Sequence, residues 1–402
     1  MYDVKSMKAE EFISDEEIKA TLQYADENKD NMEVVDAIIA KAKLGKGLTH
    51  REASVLLACD KEEKLQEIYD LARQIKEDYY GNRIVLFAPL YLSNYCVNGC
   101  LYCPYHLKNK HISRKKLTQD EIRKEVIALQ DMGHKRLAIE LGEDPVNNPI
   151  EYVLESINTI YNIKHKNGAI RRVNVNIAAT TVENYKKLHD AGIGTYILFQ
   201  ETYNKAHYNI YHPRGMKSRF EWRLDGFDRM GQAGVHSIGM GVLIGLEKEW
   251  RTDVTMMAYH LRYLQRHYWR TKYSVNFPRM RPAQNEGFHP NCYMTDRELA
   301  QATFAMRIFD HDVDISYSTR EPAYIRDNMA TLGVTTMSAE SKVNPGGYYT
   351  YPQALEQFTV SDERTAKEIN CRLRELGREP VWKDWDASFD LGGIMSKEQK
   401  KA

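Results

Sequence analysis

Eight short apolar stretches rich in β-branched residues recur along residues 84–337 of this 402-residue chain, and helical patterns separate them. The predicted strands are Ile84–Leu92, Arg136–Leu141, Arg172–Ile177, Thr195–Phe199, Ser237–Ile244, Tyr273–Phe277, Asp312–Tyr317 and Val334–Met337. The predicted helices are Thr118–Met132, Ile150–His165, Val182–Asp190, Phe220–Gln232, Trp250–Arg266, Asp296–Phe309 and Glu321–Met329. Strands that alternate with helices imply right-handed crossovers and a parallel sheet. Eight of them fit a closed (β/α)8 TIM barrel, although periodicity alone also allows an open doubly wound sheet.

Helical patterns also precede and follow this region. A helix that opens at Asp15 is followed by Asn31–Leu44, His50–Leu57 and Lys61–Tyr80, and Arg364–Leu376 reads as a helix near the end. We therefore predict an N-terminal helical segment at 1–80, a barrel at 81–340 and an extension at 341–402 that closes the barrel.

Charge and cysteine usage exclude several classes of protein. Lys+Arg and Asp+Glu number 56 each, and there is no basic tract, so neither nucleic acid nor an anionic membrane is expected as a partner. No apolar run is long enough for a membrane span, and the charged first thirty residues do not resemble a signal peptide. Six cysteines, three of them scattered, do not suggest a disulfide framework, which predicts a reducing cytoplasm.

Three cysteines, Cys96, Cys100 and Cys103, follow the first predicted strand and so fall at the carboxyl end of the barrel, where such folds carry out chemistry. A structural zinc site requires four protein ligands, and an ordinary electron-carrying [4Fe–4S] cluster also takes four thiolates. Three thiolates would leave one iron open to a substrate or cofactor. The alternatives are three unrelated thiols, or a zinc site completed by His106.

The cysteine spacing, with Tyr102 before the last cysteine, resembles the signature of the radical S-adenosylmethionine (SAM) superfamily. The resemblance implies one [4Fe–4S] cluster whose open iron binds the amino and carboxylate groups of SAM. An electron passed into the sulfonium then releases a 5′-deoxyadenosyl radical. Tyr102 is accordingly expected to contact the cofactor.

Further positions match the parts of this superfamily that bind SAM. Gly142 and Glu143 resemble its Gly-Gly-Glu turn, which accepts the SAM amino group, although Leu141 replaces the first glycine. A glycine there would let a ligand approach the backbone. Glu201 at the end of the fourth strand and Arg223 on the next helix match residues that hold the methionyl end or ribose of SAM.

Longer motifs resemble the family of anaerobic tyrosine lyases that serves thiamine biosynthesis, the 2-iminoacetate synthases (ThiH). The resemblance covers residues 80–386 and rests on Gly245-Leu-Glu-Lys-Glu-Trp-Arg, Ser318-Thr-Arg-Glu, Asn344-Pro-Gly-Gly-Tyr and Val381-Trp-Lys-Asp-Trp-Asp. It implies cleavage of the Cα–Cβ bond of L-tyrosine to 2-iminoacetate (dehydroglycine) and p-cresol, with 5′-deoxyadenosine and methionine. It also implies a reduced flavodoxin or ferredoxin as electron donor and thiazole synthase (ThiG) as the recipient of the product.

The first half also resembles the sister family that matures [FeFe]-hydrogenase (HydG). That family carries a C-terminal extension with a second cysteine triplet, whereas here Cys371 stands alone and the sequence ends sixteen residues after Asp386. This favours the thiamine family. A lyase for another aromatic amino acid, such as tryptophan, and a non-catalytic iron–sulfur scaffold are the remaining alternatives, and the missing fourth cysteine argues against the scaffold.

Candidate substrate residues follow the sixth and seventh strands. The resemblance implies that Arg320 clamps the tyrosine carboxylate, since the guanidinium fork fixes orientation as lysine could not. Ser318 is expected to assist by hydrogen bonding. Arg279 and Arg281 are the next candidates, although loop arginines are more often structural.

Overall fold

The structure, a computed structural model, describes residues 6–166, 168–281, 288–350 and 356–383. The end of the Val381–Asp386 motif lies outside these ranges. Eight parallel strands form the centre of the fold: β1 (Arg83–Ser93), β2 (Arg136–Leu141), β3 (Arg172–Asn176), β4 (Thr195–Glu201), β5 (Ser237–Val242), β6 (Lys272–Asn276), β7 (Asp314–Tyr317) and β8 (Thr336–Ser338).

The sheet closes into a barrel. Each strand pairs with the next in sequence, and β8 pairs back onto β1, with Thr336 opposite Val85. A ninth strand, β9 (Glu379–Val381), also runs parallel to β1 and pairs with its amino end at Arg83–Val85. The predicted TIM barrel is therefore confirmed, and the open doubly wound sheet is excluded.

Helices surround the barrel and lead into it. They are α1 (Asp15–Asn28), α2 (Met32–Lys43), α3 (His50–Ala58), α4 (Glu62–Tyr80), α5 (Gln119–Asp131), α6 (Ile150–Asn162), α7 (Val182–Asp190), α8 (Lys205–Tyr211), α9 (Phe220–Leu224), α10 (Gly226–Gln232), α11 (Trp250–His267), α12 (Asp296–Phe309), α13 (Ala323–Leu332) and α14 (Ala366–Glu375). Four of them begin at a Thr-x-x-Glu capping box, in which threonine and glutamate satisfy the free amides of the first turn; the boxes start at Thr49, Thr118, Thr295 and Thr365.

Three local differences separate the predicted elements from the observed ones. The predicted helix Phe220–Gln232 divides into α9 and α10 at the Asp225–Gly226 pair, two residues with low helix propensity. The helix predicted to reach His165 ends at Asn162, and Lys164–His165 then pairs with Gly168–Ala169 as a short antiparallel ladder. Helix α8 was not predicted.

The leading helices pack on the outside of the barrel against α11 and α12. Gln301 on α12 donates hydrogen bonds to the carbonyls of Leu56 and Cys59 at 2.8 and 2.7 Å. The ring of His50 stacks on Tyr259 of α11 with 3.7 Å between centroids. No helix within the four ranges given above is both long and apolar enough to cross a membrane.

Candidate active site

A cavity of about 290 Å³ opens at the carboxyl ends of the barrel strands. All but one of the twelve site residues predicted from the sequence line it, although they come from six different segments of the chain. They are Cys96, Cys100, Tyr102, Cys103, Gly142, Glu143, Glu201, Arg223, Arg281, Ser318 and Arg320. Arg279 does not line the cavity. The barrel thus brings together the residues expected at the cluster, the SAM and the substrate.

The three cysteines face this cavity with their thiols largely removed from water. Cys100 is only 5% exposed, and burial raises its pKa to about 12; burial likewise raises the pKa of Cys103 to about 11. Without a metal the thiols are therefore protonated at neutral pH. Metal binding must displace these protons.

The donor set fits an iron–sulfur cluster with one open iron. Among the described residues, the cavity lining contains three cysteines and no histidine, so the lining offers no imidazole for a zinc site. In the described ranges, no group of three or more His, Cys, Asp and Glu side chains, the three cysteines included, is close enough together to share a single metal ion. A [4Fe–4S] cluster instead takes one thiolate per iron, so three cysteines can serve three of its corners.

Asn98 holds the cysteine loop in place without any metal. Its side-chain amide donates to Glu143 Oε2 at 2.6 Å, its Oδ1 accepts the N–H of Lys217 at 3.1 Å, and its carbonyl accepts the N–H of Leu107 at 2.9 Å. Gly215, at φ +88°, packs so closely on Asn98 that a Cβ atom there would overlap its amide oxygen. The loop is thereby joined to the turns after β2 and α8.

The Gly142–Glu143 turn also packs directly on the cysteine loop. A Cβ atom on Gly142 would overlap the carbonyl oxygen of Tyr95 and lie 2.9 Å from the Cβ of Cys96. The N–H of Val97 donates to the carbonyl of Glu143 at 2.8 Å. The close approach of the cysteine loop therefore requires glycine at this position, and the predicted approach of a ligand to the same backbone stays a prediction.

Glu201 adopts an unusual backbone conformation at the end of β4. Its φ is +72°, and the pairing of β4 with β5 shifts register between Phe199 and Glu201, as in a β-bulge. Left-handed backbone at a non-glycine residue costs free energy and is concentrated at functional sites. The bulge turns the Glu201 carboxylate into the cavity.

Two cations hold this carboxylate. Lys217 Nζ lies 2.5 Å from Glu201 Oε1, and Arg223 Nη2 lies 3.8 Å from the same oxygen. Arg223 also donates from Nε to the carbonyl of Phe199 at 2.7 Å. Burial lowers the pKa of Lys217, but the charge of Glu201 more than offsets this, so the net pKa is raised and the lysine is cationic. Lys217 was missed, because its part of the sequence carries no recognisable pattern.

Tyr102 is fixed by a histidine that sequence reasoning also missed. Burial lowers the pKa of His212 well below its usual value, so the ring is neutral. Its Nδ1 lies 2.7 Å from the carbonyl of Tyr208, which can only accept, so Nδ1 carries the proton. His212 Nε2 therefore accepts the hydrogen bond from the Tyr102 hydroxyl at 2.8 Å.

Arg320 extends into the cavity without a counter-ion. Its guanidinium carbon lies 3.5 Å from the centroid of the Phe358 ring, and within the described part of the chain the guanidinium makes no ion pair or hydrogen bond. Ser318 Oγ accepts the backbone N–H of Arg320 at 3.3 Å. A stacked guanidinium with free donors is suited to bind a carboxylate in a fixed orientation.

The two other predicted arginines are engaged by acidic residues. Glu321, 3% exposed at its side chain, accepts from Arg281 Nη2 at 3.0 Å and from Arg279 Nε at 3.1 Å. Arg279 also donates to Asp296 Oδ1 at 2.7 Å and to the carbonyl of Met294 at 3.1 Å. Arg279 is thus paired with acidic residues and lies outside the cavity lining, and a role for it as a substrate ligand stays a prediction.

Glu140 on β2 is a cavity residue that was not predicted. Burial raises its pKa to about 8, although Asn176 and the charge of Arg320 act in the opposite direction. The carboxyl is therefore mostly protonated at pH 7. Strand alternation contained the relevant signal, because Arg136 and Glu140 are an even number of residues apart on one strand and both line the cavity.

Comparison with known proteins identifies the family. The pattern of the radical SAM superfamily matches residues 90–257, and that of the biotin and thiamin synthesis associated domain matches residues 276–379. The 2-iminoacetate synthase of Salmonella typhimurium (strain LT2) is 36% identical over 340 residues, which cover 85% of this chain and 88% of that protein. The 2-iminoacetate synthase of Escherichia coli (strain K12) is 36% identical over 351 residues, covering 87% and 91%.

A crystal structure of HydG, a maturase of the [FeFe]-hydrogenase, superposes with a TM-score of 0.89 and 44% identity, covering 95% of this chain and 82% of that one. The barrel, the three-cysteine cavity and these relatives lead to one conclusion. The chain belongs to the radical SAM superfamily, in the family of 2-iminoacetate synthase.

Proposed function

We propose that this chain is a radical SAM tyrosine lyase, a 2-iminoacetate synthase that cleaves L-tyrosine at the Cα–Cβ bond to give 2-iminoacetate and p-cresol. The observation that carries the proposal is the guanidinium of Arg320, which lacks a counter-ion among the described residues and faces the same cavity as the three cysteines. An amino-acid carboxylate can supply that counter-ion. The 2-iminoacetate synthase relatives support the reaction.

The cofactors are one [4Fe–4S] cluster per chain and SAM. Cys96, Cys100 and Cys103 would hold the cluster, and Glu143, Glu201 and Arg223 would bind SAM. When bound, the cluster and SAM supply the 5′-deoxyadenosyl radical that removes a hydrogen atom from the tyrosine amine. Lys217 and Arg223 hold the Glu201 carboxylate in that part of the cavity.

The protein's contribution to the chemistry is orientation. Arg320 forks onto the tyrosine carboxylate, and the Ser318 hydroxyl donates a hydrogen bond to the same group, so the amine is held in one direction. A reactive radical takes the nearest hydrogen, and placement therefore decides the product. Glu140, protonated at pH 7, can donate a hydrogen bond within the cavity and carries no charge that would compete for Arg320.

Two partners follow from this reaction. A reduced flavodoxin or ferredoxin provides the electron, and thiazole synthase (ThiG) receives 2-iminoacetate for the thiazole moiety of thiamine. Direct transfer between adjacent proteins protects an imine that would hydrolyse in water. We assign the protein to the cytoplasm, where the thiols of the cysteine loop stay reduced.

A second candidate function is tyrosine cleavage for [FeFe]-hydrogenase maturation, which the 44% identity to HydG favours. The cysteines outside the loop separate the two functions. Cys59 is buried after α3, Cys292 is partly exposed before α12, and Cys371 is exposed on α14, so these three do not form a second triplet. This distribution supports release of 2-iminoacetate as such.

The test is an anaerobic incubation of the reconstituted protein with tyrosine, SAM and dithionite. We expect p-cresol and 5′-deoxyadenosine in equal amounts, glyoxylate from hydrolysis of 2-iminoacetate, and no cyanide. Cyanide formation would favour the maturase function. Turnover of tryptophan but not tyrosine would show that tryptophan is the substrate. If SAM is cleaved but neither amino acid is consumed, the proposed function is wrong.

A further inference from the structure

Two long segments of this electrically neutral chain contain no acidic residue. Residues 79–119 and residues 202–220 have no Asp or Glu, although these two residue types make up 56 of the 402 positions. The first segment carries the cysteine loop, and the second carries α8 and the turn that packs on that loop. Positive charge is therefore concentrated around the predicted cluster site.

The two segments form one continuous surface. The Asn98 carbonyl accepts the N–H of Leu107 at 2.9 Å, and its side chain accepts the N–H of Lys217 at 3.1 Å. The N–H of Gly99 donates to the carbonyl of Arg214 at 3.1 Å. Asn98 thus links the two segments, because Leu107 of the first and Lys217 of the second both bond to it.

The exposed side chains on these segments combine an apolar centre with a basic rim. Of the twelve exposed large apolar side chains in the described ranges, five lie on these segments. Tyr79, at the end of α4, is one, and the other four lie on the cysteine loop and the stretch from α8 to Lys217, each 37–58% exposed: Leu101, Leu107, Ile210 and Met216. The same two stretches carry the exposed cations Lys108, Lys110 and Arg214, which form no ion pair with any residue the structure describes. We call those four apolar residues and these three cations the cysteine-loop surface.

We propose that the cysteine-loop surface is the docking site for an acidic electron-carrier protein of the flavodoxin or ferredoxin class. Unpaired cations around an apolar centre complement a carrier whose acidic residues surround its exposed cofactor. Leu101 is exposed and adjacent to Cys100, a cluster ligand, so a carrier seated here lies one residue from the electron acceptor. The carrier loses one electron for each SAM cleaved. The inference rests on the proposed cluster and does not depend on tyrosine as the substrate.

A nucleic acid fits this surface less well. Tight binding to a phosphate backbone requires roughly six to ten cationic contacts, and the surface offers three around apolar side chains. A protein partner uses both the apolar centre and the rim. Three charges are enough to guide association of two proteins and to make it dependent on salt.

The test compares two electron sources in the same protein. The triple variant K108E/K110E/R214E is assayed for 5′-deoxyadenosine with dithionite, a small reductant, and with enzymatically reduced flavodoxin. We expect dithionite-driven SAM cleavage to stay within about twofold of the wild type and the KM for flavodoxin to rise roughly tenfold or more. Binding of oxidised flavodoxin, measured by anaerobic biolayer interferometry, should weaken by a similar factor.

The matched control reverses three exposed cations elsewhere, K46E/K164E/K186E, which also form no ion pair among the residues described. It should behave as the wild type with both reductants. Equal losses in both triple variants, or an unchanged flavodoxin KM in K108E/K110E/R214E, would overturn the docking site. So would a loss of dithionite-driven cleavage in that variant, because the surface would then act on the cluster itself.

Salt provides a measurement that needs no variant. Raising ionic strength from 50 to 200 mM should increase the wild-type KM for flavodoxin several-fold, while the dithionite-driven rate changes little. A flavodoxin KM that is independent of salt contradicts the proposal. If the wild type fails to cleave SAM with dithionite, the proposed function fails, and the interferometry measurement still decides the docking site.

Discussion

A single methyl group on Gly142 should disturb the cluster site. Gly142 has a backbone conformation that alanine can adopt, so the effect of Gly142→Ala is steric. The added carbon would overlap the Tyr95 carbonyl oxygen and lie 2.9 Å from the Cβ of Cys96, closer than carbon atoms pack. Because backbone cannot rotate away as a side chain can, the cysteine loop and the β2 turn must separate.

The size of the effect follows from that separation. Overpacking of this kind costs about 1–3 kcal/mol, which for a chain of this length lowers the Tm of the metal-free protein by roughly 1–4 °C. A displacement of about 1 Å in the loop that holds the cluster should reduce SAM cleavage by roughly a hundredfold. Differential scanning fluorimetry measures the first quantity, and anaerobic assay of 5′-deoxyadenosine per bound cluster measures the second.

Gly168→Ala is the matched control. An added Cβ there would lie 3.4 Å from the nearest atom, the carbonyl oxygen of His165, which is an ordinary contact. It should leave Tm and SAM cleavage close to the wild type. If Gly142→Ala matches this control in both measurements, the close approach of the two segments does not position the cysteines.

Four further predictions address separate parts of the site. Arg320→Gln should lower kcat/KM for tyrosine by roughly a hundredfold, because a charged hydrogen bond of about 3 kcal/mol is lost, while SAM cleavage persists. An unchanged KM for tyrosine would contradict the role of Arg320 in binding the substrate. Glu201→Gln should weaken SAM binding, which is measured by the change that SAM causes in the electron paramagnetic resonance spectrum of the reduced cluster. If the variant binds SAM as tightly as the wild type, Glu201 is not a SAM ligand. Cys100→Ala should abolish p-cresol formation and Cys371→Ala should preserve it, whereas loss of activity in the second variant would indicate another metal site. Folding raises the pKa of Glu140 from about 4.5 to about 8, so its contribution to stability is complete below pH 4.5 and is lost as the pH rises to 8. The Tm of the wild type should therefore fall relative to that of Glu140→Gln between pH 5 and 8. Parallel Tm curves of the two proteins would refute the pKa shift.

Alternation of apolar runs with helical patterns was enough to predict the barrel. Each of the eight strands formed within a few residues of its predicted position, because a strand buried on both faces is marked by a continuous apolar run. The misplaced boundaries have local causes. The Asp225–Gly226 break in the predicted Phe220–Gln232 helix, for example, includes a glycine that packs tightly on β4, since a Cβ atom on Gly226 would lie 2.9 Å from the Leu198 side chain.

The candidate site was predictable where a motif lay in one segment and less so where side chains from different segments meet. The cysteine spacing and the Gly142–Glu143 turn could be read directly. Lys217 could not be predicted, because its role is to pair with Glu201, and the bulge that turns Glu201 toward it is a tertiary feature of β4 and β5. Arg279 was chosen for its residue type and its place after the sixth strand, and only the fold reveals that Glu321 and Asp296 pair with it.

The strand that carries the cysteine loop, β1, pairs with β2, β8 and β9. Two of these three neighbours lie far downstream in the sequence. On the ribosome, β1 therefore emerges some 250 residues before β8, and the barrel cannot close around the thiols until β8 has been synthesised. The cysteine loop therefore stays uncovered by the closed barrel while the intervening strands are being translated.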